Sequence, residues 1–291
     1  MSPLRLGTRG SALALAQARS VAAKLDAEIV VVESGADRDF VSALRAALRG
    51  GEVDAAVHSY KHLPVAATDD LVIAAVPKRG DARDALCSRD GLLLDDLPQG
   101  AAVGTGSPRR RAQLLARRPD LDVREIRGDV ASRLARLAPE AADADRLDAV
   151  VLAAAGLDRL GHLDAVTEFL GIDGWPTAPA QGSLAVEVRR GQEKSVSKLD
   201  HRPSRLAAEA ERGILSRLGA QPSAPIGTHA LLDDGLLFLT ARVYALDGSA
   251  QLTSSHALYP EDALHPAEDL ADRVATELLE AGAATLLGVP A

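Results

Sequence analysis

The feature that most constrains the fold is a segment that occurs twice. LGTRGSALALAQA at residues 6–18 is similar to VGTGSPRRRAQLLA at residues 103–116, and each reads as a strand, a Gly-Thr turn and a helix. VDAAVHS at 53–59 and LDAVVLAAAG at 147–156 form a second similar pair. Turns between strands and helices favour Gly, Thr and Ser, so one match alone would indicate little. Two matches in the same order predict two similar lobes that face a common cleft.

Strand and helix signals alternate along both lobes. Short apolar runs alternate with helical periodicity, which is typical of an α/β protein whose sheets are flanked by helices. Near residue 198 the order changes to one amphipathic helix, three strands and a closing helix. We therefore predict an α/β fold with parallel-rich sheets in the two lobes and a small third α/β domain with a mostly antiparallel sheet.

Composition and charge limit the partners of this chain. Its 291 residues carry a formal net charge of −8, which argues against non-specific binding to nucleic acid. No apolar run reaches the length of a membrane helix, and the start MSPLRLGTRG lacks the apolar core of a signal peptide. The single cysteine, Cys87, fits a reducing compartment. We expect a cytoplasmic monomer without a metal site, since no metal-binding motif occurs.

Three arginines begin the helix of the second repeat copy. In GTGSPRRRAQL, Ser107 can cap the helix and Pro108 suits its first position, which puts Arg109 and Arg110 in the first turn. The helix dipole disfavours each of these charges by about 0.3–1 kcal/mol. A bound carboxylate would reverse that sign, because it would meet N–H donors and guanidinium groups together.

Further polar residues follow strands whose carboxyl ends should face the same cleft. Ligands of open α/β sheets bind at such ends. The alternative interpretation is a solvated basic face without a ligand. On the first interpretation we predict a cationic cleft for a small anionic ligand, with Arg9, Ser11, Ser59, Thr105, Ser107, Arg109, Arg110, Arg127 and Arg133 as binding residues and Lys61 beside them.

At these residues the chain resembles the porphobilinogen deaminase, or hydroxymethylbilane synthase, family. The similar segments keep the family's order and include LGTRGSALALAQA, DAAVHSYKHLP, ARDALCS, VGTGSPRRRAQL, IRGDVASRLARL, PAQGSLAVEVR and APIGTHA. The resemblance implies a transferase of tetrapyrrole (porphyrin) biosynthesis that joins four porphobilinogen units and releases ammonia at each step. It also implies that the arginines hold acetate and propionate groups.

The resemblance further implies three domains. Two are similar to the lobes of periplasmic binding proteins, and the third carries a dipyrromethane cofactor bound to a cysteine through a thioether. On this pattern domain 1 comprises residues 1–81 and 178–197, domain 2 comprises 82–177, and domain 3 comprises 198–291.

The chain departs from the family pattern at three places. Pro222 stands at the place of the cofactor cysteine and offers no thiolate, so we expect no attachment residue and no dipyrromethane cofactor. His62 replaces the aspartate that follows Lys61; an imidazole can accept a proton near pH 7 but supplies no fixed negative charge. We expect Lys61 and His62 to be the catalytic pair. The family's lid between the second strand and the second helix is mostly missing, because VVESGADRDFVSALRAAL at residues 31–48 runs from one to the other almost directly.

These departures leave several functions open. The first is a divergent enzyme that binds porphobilinogen or a related pyrrole polycarboxylate and performs altered condensation or deamination without a covalent cofactor. The alternatives are a non-catalytic pseudoenzyme that binds or carries a pyrrole carboxylate, an ordinary hydroxymethylbilane synthase, and a decaying paralogue without a ligand. The residues favour an enzyme over a binder.

Overall fold

The computed structural model describes residues 3–33, 39–66, 68–139, 142 and 146–288. The strands are β1 (Arg5–Thr8), β2 (Glu28–Val31), β3 (Ala55–Ser59), β4 (Leu71–Ala75), β5 (Asp84–Ser88), β6 (Ala102–Thr105), β7 (Asp122–Glu125), β8 (Ala149–Ala153), β9 (Glu168–Leu170), β10 (Leu184–Arg189), β11 (Ile226–Asp233), β12 (Leu236–Tyr244) and β13 (Gln251–Leu258). The helices are α1 (Ala12–Leu25), α2 (Phe40–Arg49), α3 (Pro108–Arg117), α4 (Val130–Leu134), α5 (Ala154–Leu160), α6 (Arg202–Arg217), α7 (Pro266–Glu280) and α8 (Ala283–Leu287). None of these helices is long and apolar enough to cross a membrane.

Two five-stranded sheets with the same topology form the lobes. Their strand orders are β2-β1-β3-β10-β4 and β7-β6-β8-β5-β9. In each sheet the first three strands are parallel, and the fourth is antiparallel to both of its neighbours. The predicted fold class is therefore confirmed, and the sheets are mixed rather than wholly parallel.

The antiparallel strand in each sheet arrives from the other lobe. After β4 the chain crosses at residues 76–83 and enters the second sheet as β5; after β9 it returns at 171–183 and enters the first as β10. A strand that enters from the cleft side runs away from the cleft. The parallel strands run toward it, so β5 and β10 oppose their neighbours. The exact domain boundaries stay a prediction. Each crossing segment contains one of the predicted boundaries.

The repeated Gly-Thr pair satisfies the same packing requirement in both lobes. A Cβ on Gly7 of β1 would lie 3.0 Å from a Val53 methyl group, and one on Gly104 of β6 would lie 2.5 Å from a Leu147 methyl group. Val53 and Leu147 both directly precede the aspartate that comes just before β3 and β8. The two similar segment pairs thus pack against each other in each lobe, which explains why they recur together.

The third sheet, β11-β12-β13, is antiparallel throughout, as expected. Helices α6 and α7 pack on it and form an apolar core that includes Ile214, Leu239 and Val274, all fully buried. The predicted lid falls between β2 and α2, and its residues 34–38 lie outside the described residues.

A buried carboxylate on α6 joins the third domain to both crossing segments. Glu211 accepts hydrogen bonds from Arg79 of the first crossing at 2.7 and 2.9 Å and from the Ala180 backbone of the second at 2.6 Å. It also accepts one from the Ala230 backbone of β11 at 2.7 Å. This arrangement fixes the third domain beside the base of the cleft.

Candidate functional site

Most of the predicted polar residues lie around two adjoining cavities. The first, which we call the lobe cleft, has a volume of about 540 Å³ and is lined by residues that follow β1, β3 and β8. The second, the junction pocket, has about 380 Å³ and lies where the segments 61–62, 106–110 and 222–226 meet. Four residues line both cavities and join them into one site: Lys61, His62, Arg110 and Arg133.

Arg9 and Ser11 come from the turn between β1 and α1. Ser11 caps α1 by accepting a hydrogen bond from the Ala14 backbone at 3.3 Å. The Arg9 guanidinium lies 4.4 Å from the ring centroid of Phe40, the first residue of α2. Its Nε is buried without a hydrogen-bond partner, and burial lowers the pKa of Arg9. Arg9 therefore lines the lobe cleft, and no carboxylate among the described residues neutralises its charge.

Ser59 and Lys61 lie at and just beyond the end of β3. Ser59 Oγ forms hydrogen bonds with both side-chain atoms of Gln17, at 2.9 and 3.0 Å. Lys61 Nζ donates to Gln181 Oε1 at 3.1 Å. Burial first, and then the charge of Arg110, lower the pKa of Lys61 to about 7. Lys61 can therefore hold or release a proton at neutral pH.

His62 is an exposed residue that borders both cavities. Desolvation and then the charges of Lys61, Arg9 and Arg110 lower the pKa of His62 well below its ordinary value. The imidazole is thus neutral at pH 7 and a weaker base than its residue type suggests. The prediction that His62 is catalytic stays a prediction.

The helix cap predicted for α3 is present. Ser107 accepts a hydrogen bond from the Arg110 backbone at 3.4 Å, and Pro108 occupies the first turn. Thr105 is buried and accepts from the Ser107 backbone at 3.2 Å. Thr105 thus supports the turn, whereas Ser107 itself lines the junction pocket.

A protein carboxylate holds the first two arginines of α3. Asp84, the first residue of β5, accepts from Arg109 Nη1 at 2.8 Å and from Arg110 Nη2 at 2.6 Å, and all three side chains are buried. Trp175 and Gln181 donate to the same carboxylate at 2.9 and 2.8 Å. Burial alone would raise the pKa of Asp84, but the two guanidinium charges and their hydrogen bonds hold it far below its usual range. The ion pairs with Asp84 offset the dipole cost of these arginines.

Two further arginines line the lobe cleft and have no carboxylate partner among the residues that the structure describes. Arg133 on α4 donates to the Gly128 carbonyl at 2.9 Å, and Arg159 on α5 donates to the Gly182 carbonyl at 2.8 Å. Within the described parts of the chain, four cations of the site have no carboxylate within ion-pair distance: Arg9, Lys61, Arg133 and Arg159. Arg159 was not among the predicted binding residues, although it follows the end of β8 by six residues, as other residues of the site follow their strands.

Arg127 is the one predicted binding residue that the structure places away from the others. Its side chain is 90% exposed and pairs with Glu125 at 3.1 Å. It lines neither the lobe cleft nor the junction pocket. The other predicted cations all lie at one or both cavities.

The geometry of the site agrees with the comparison to known families. Residues 4–197 match the family model described as porphobilinogen deaminase, dipyromethane cofactor binding domain. The chain belongs to the porphobilinogen deaminase family. This assignment confirms the resemblance found in the sequence, although nothing in the comparisons marks the chain as a divergent member.

Curated relatives match along nearly all of the chain. A porphobilinogen deaminase of Leifsonia xyli subsp. xyli is 51% identical over 97% of this chain and 94% of its own length. Those of Thermobifida fusca and Mycobacterium bovis are 46% and 43% identical, covering 97% and 98% of this chain and 95% and 98% of their own. The Leifsonia alignment spans 313 positions, more than the 291 residues here, so this relative has residues opposite gaps in the chain.

Two solved structures are similar to the chain at low sequence identity. The Candida albicans CA3427 gene product, described as having the generic periplasmic binding protein structural fold, is 14% identical with a TM-score of 0.36 and covers 68% of this chain and 67% of its own. The alkanesulfonate-binding protein SsuA from Xanthomonas axonopodis pv. citri is 20% identical with a TM-score of 0.35, covering 76% and 81%.

The expectation of no dipyrromethane cofactor is wrong. The matched family domain, which spans both lobes, is the one described as binding that cofactor. The expectation depended on one missing thiol, whereas binding an acidic molecule depends on a whole cationic surface. The residues at the junction pocket fit such a molecule, because Lys61 and Arg133 have no carboxylate partner in the described chain and Ser107 caps the adjacent helix.

The attachment through sulfur does not fit this chain. Its one cysteine, Cys87, is fully buried in β5 and lines neither cavity. Burial raises the pKa of the Cys87 thiol to about 11, so it is not a thiolate at neutral pH. Pro222, at the predicted place of the cofactor cysteine, does line the junction pocket.

Proposed function

We propose that this protein acts as a porphobilinogen deaminase, joining porphobilinogen units and releasing ammonia. The observation that carries the proposal is the set of four cleft cations without a carboxylate partner in the described chain, in a protein with a net charge of −8. The curated relatives named porphobilinogen deaminase support the same function.

The acetate and propionate groups of the substrate complement these cations. A charge-assisted hydrogen bond contributes about 1.5–3 kcal/mol, so the loss of one should weaken substrate binding by about 10- to 150-fold. Arg133 is the clearest candidate, because it lines both cavities and, within the described part of the chain, its guanidinium bonds only a backbone carbonyl.

Lys61 is proposed as the residue that handles protons. Release of ammonia requires a proton at the departing nitrogen, and a group with a pKa of about 7 is well matched to give or take one. His62 beside it contributes a neutral imidazole, which can form a hydrogen bond but does not provide fixed negative charge. The further proposal that the condensation or deamination chemistry of this protein is altered depends on His62.

Incubation with porphobilinogen tests the activity. Purified protein should consume porphobilinogen, release ammonia and yield a linear condensation product detectable by mass spectrometry. Arg133→Gln should lower kcat/KM by about 10- to 150-fold, whereas Arg124→Gln, an exposed arginine of the same lobe, should leave it nearly unchanged. No consumption above background, with or without added dipyrromethane, would contradict the proposal.

A second candidate is a pyrrole-binding pseudoenzyme. The neutral His62 in place of an ionised acid favours it, because an uncharged imidazole supplies no negative charge of its own to stabilise a cationic pyrrole. Calorimetric binding of porphobilinogen without turnover would select this candidate over the enzyme. The monomeric state stays a prediction, which size-exclusion chromatography with light scattering measures.

A further inference from the structure

The junction pocket is positively charged on the walls contributed by both lobes. Lys61, Arg109, Arg110 and Arg133 line it, together with the capped N-terminus of the ten-residue helix α3. Among the described residues the one carboxylate paired with these four cations is Asp84, which bonds Arg109 and Arg110. The pocket therefore keeps a surplus of positive charge for an acidic ligand.

The described residues of the third-domain wall include no reactive nucleophile. It consists of Pro222, Ser223, Ala224 and Ile226. Proline and the aliphatic residues cannot form a bond to a ligand through their side chains. No hydrogen bond joins the Ser223 hydroxyl to a base within the described chain, and a serine without an adjacent base is a weak nucleophile.

We propose that the dipyrromethane unit bound by this family domain is held in the junction pocket by ion pairs and hydrogen bonds alone, and that the bound unit exchanges with free dipyrromethane in solution. The ligand's identity rests on the proposed function. The mode of binding is inferred from the residues of this chain. Among the described residues, two walls of the junction pocket carry cations without a carboxylate partner, and the third wall offers neither a thiol nor an activated hydroxyl. Bound in this way, the unit serves as a replaceable acceptor rather than as a permanent part of the protein.

Mass spectrometry tests the mode of attachment. The protein is purified from cells that make tetrapyrroles and measured under native and under denaturing conditions. The denatured chain should have the mass of its sequence alone. A denatured mass increased by two linked pyrrole units would overturn the inference, and peptide mapping would then identify the attached residue.

Binding of the free ligand tests the pocket. Protein passed through gel filtration in high salt is titrated with a dipyrromethane that bears acetate and propionate groups. It should bind reversibly, more weakly in high than in low salt, and Arg133→Gln should raise the Kd by about tenfold or more. Arg19→Gln, an exposed arginine of α1, is the matched control and should leave the Kd nearly unchanged. Absence of binding to the gel-filtered protein would also overturn the inference.

These outcomes separate the inference from the proposed function. Reversible binding without consumption of porphobilinogen would support the inference and contradict the deaminase activity. Consumption of porphobilinogen by a covalently modified chain would support the activity and overturn the inference. If both hold, adding free dipyrromethane to gel-filtered protein should restore turnover.

Discussion

Replacing Asp84 by Asn removes the carboxylate that neutralises two buried arginines. The carboxylate accepts hydrogen bonds from Arg109, Arg110, Trp175 and Gln181 at 2.6–2.9 Å. Asparagine keeps one oxygen and directs an NH₂ group toward guanidinium donors. Arginine does not lose its proton at neutral pH, so both charges stay in place without a counter-ion.

The structure sets the size of the effect. The side chains of Asp84, Arg109 and Arg110 are 0%, 3% and 7% exposed, so water does not replace the lost carboxylate. Breaking a buried ion pair from one side costs about 3–5 kcal/mol, and we expect Asp84→Asn to lower the free energy of unfolding by at least about 3 kcal/mol.

An exposed aspartate of the same lobe provides the control. Asp122 pairs with Arg124, and their side chains are 50% and 42% exposed, so Asp122→Asn should cost less than about 1 kcal/mol. Denaturant unfolding followed by tryptophan fluorescence suits the comparison, because the single tryptophan, Trp175, donates to Asp84. Equal losses for the two variants would refute the account of Asp84.

The stability difference between the wild type and Asp84→Asn should depend on pH in a defined direction. The folded pKa of Asp84 lies below its unfolded value of about 3.9, so its stabilising contribution is fully present above pH 4 and declines as the pH falls toward the folded pKa. The stability difference between wild type and Asp84→Asn should therefore be constant from pH 5 to pH 8. A difference that shrinks between pH 7 and pH 5 would contradict the depressed pKa.

Three other predictions concern neighbouring residues. An acidic ligand should raise the pKa of Lys61 from about 7, so binding at pH 8 takes up protons and affinity falls as pH rises above 7; calorimetry in two buffers measures the uptake, and its persistence in Lys61→Gln would contradict this assignment. Glu211→Gln should cost about 3 kcal/mol of stability, whereas Glu209→Gln on the same helix should cost less than about 1 kcal/mol. Similar denaturation midpoints for the two variants would contradict the conclusion that Glu211 joins the third domain to the crossing segments. Phe40→Leu removes the ring beneath Arg9 and should weaken porphobilinogen binding by about two- to fivefold, since a cation–π contact at such a site contributes about 0.5–1 kcal/mol; unchanged affinity would show that Phe40 does not position Arg9.

The two-lobed fold was predictable because the repeat reflects packing. Val53 leaves no room for a side chain at Gly7, and Leu147 leaves none at Gly104. The same residue pattern therefore occurs twice in the sequence. The antiparallel direction of β5 and β10 was not predictable from local pattern, because it depends on where the chain crosses between lobes.

The site was predictable only in part. Strand-end positions brought most of the predicted cations to the cavities, but spacing does not give side-chain direction. Glu125, two residues before Arg127, pairs with it at the surface. Asp84 precedes the two arginines it holds by 25 and 26 residues, and no local signal connects them. The cofactor prediction failed because it weighed one absent thiol above the charges that bind an acidic molecule.

The most direct test of the central claim is calorimetric titration of porphobilinogen into wild-type protein and into an Arg9→Gln, Arg133→Gln double variant. The variant removes one unpaired guanidinium from each lobe, and the account predicts that binding seen with the wild type becomes undetectable. Equal affinity of the two proteins would contradict the claim that these cations form the binding site for pyrrole carboxylates.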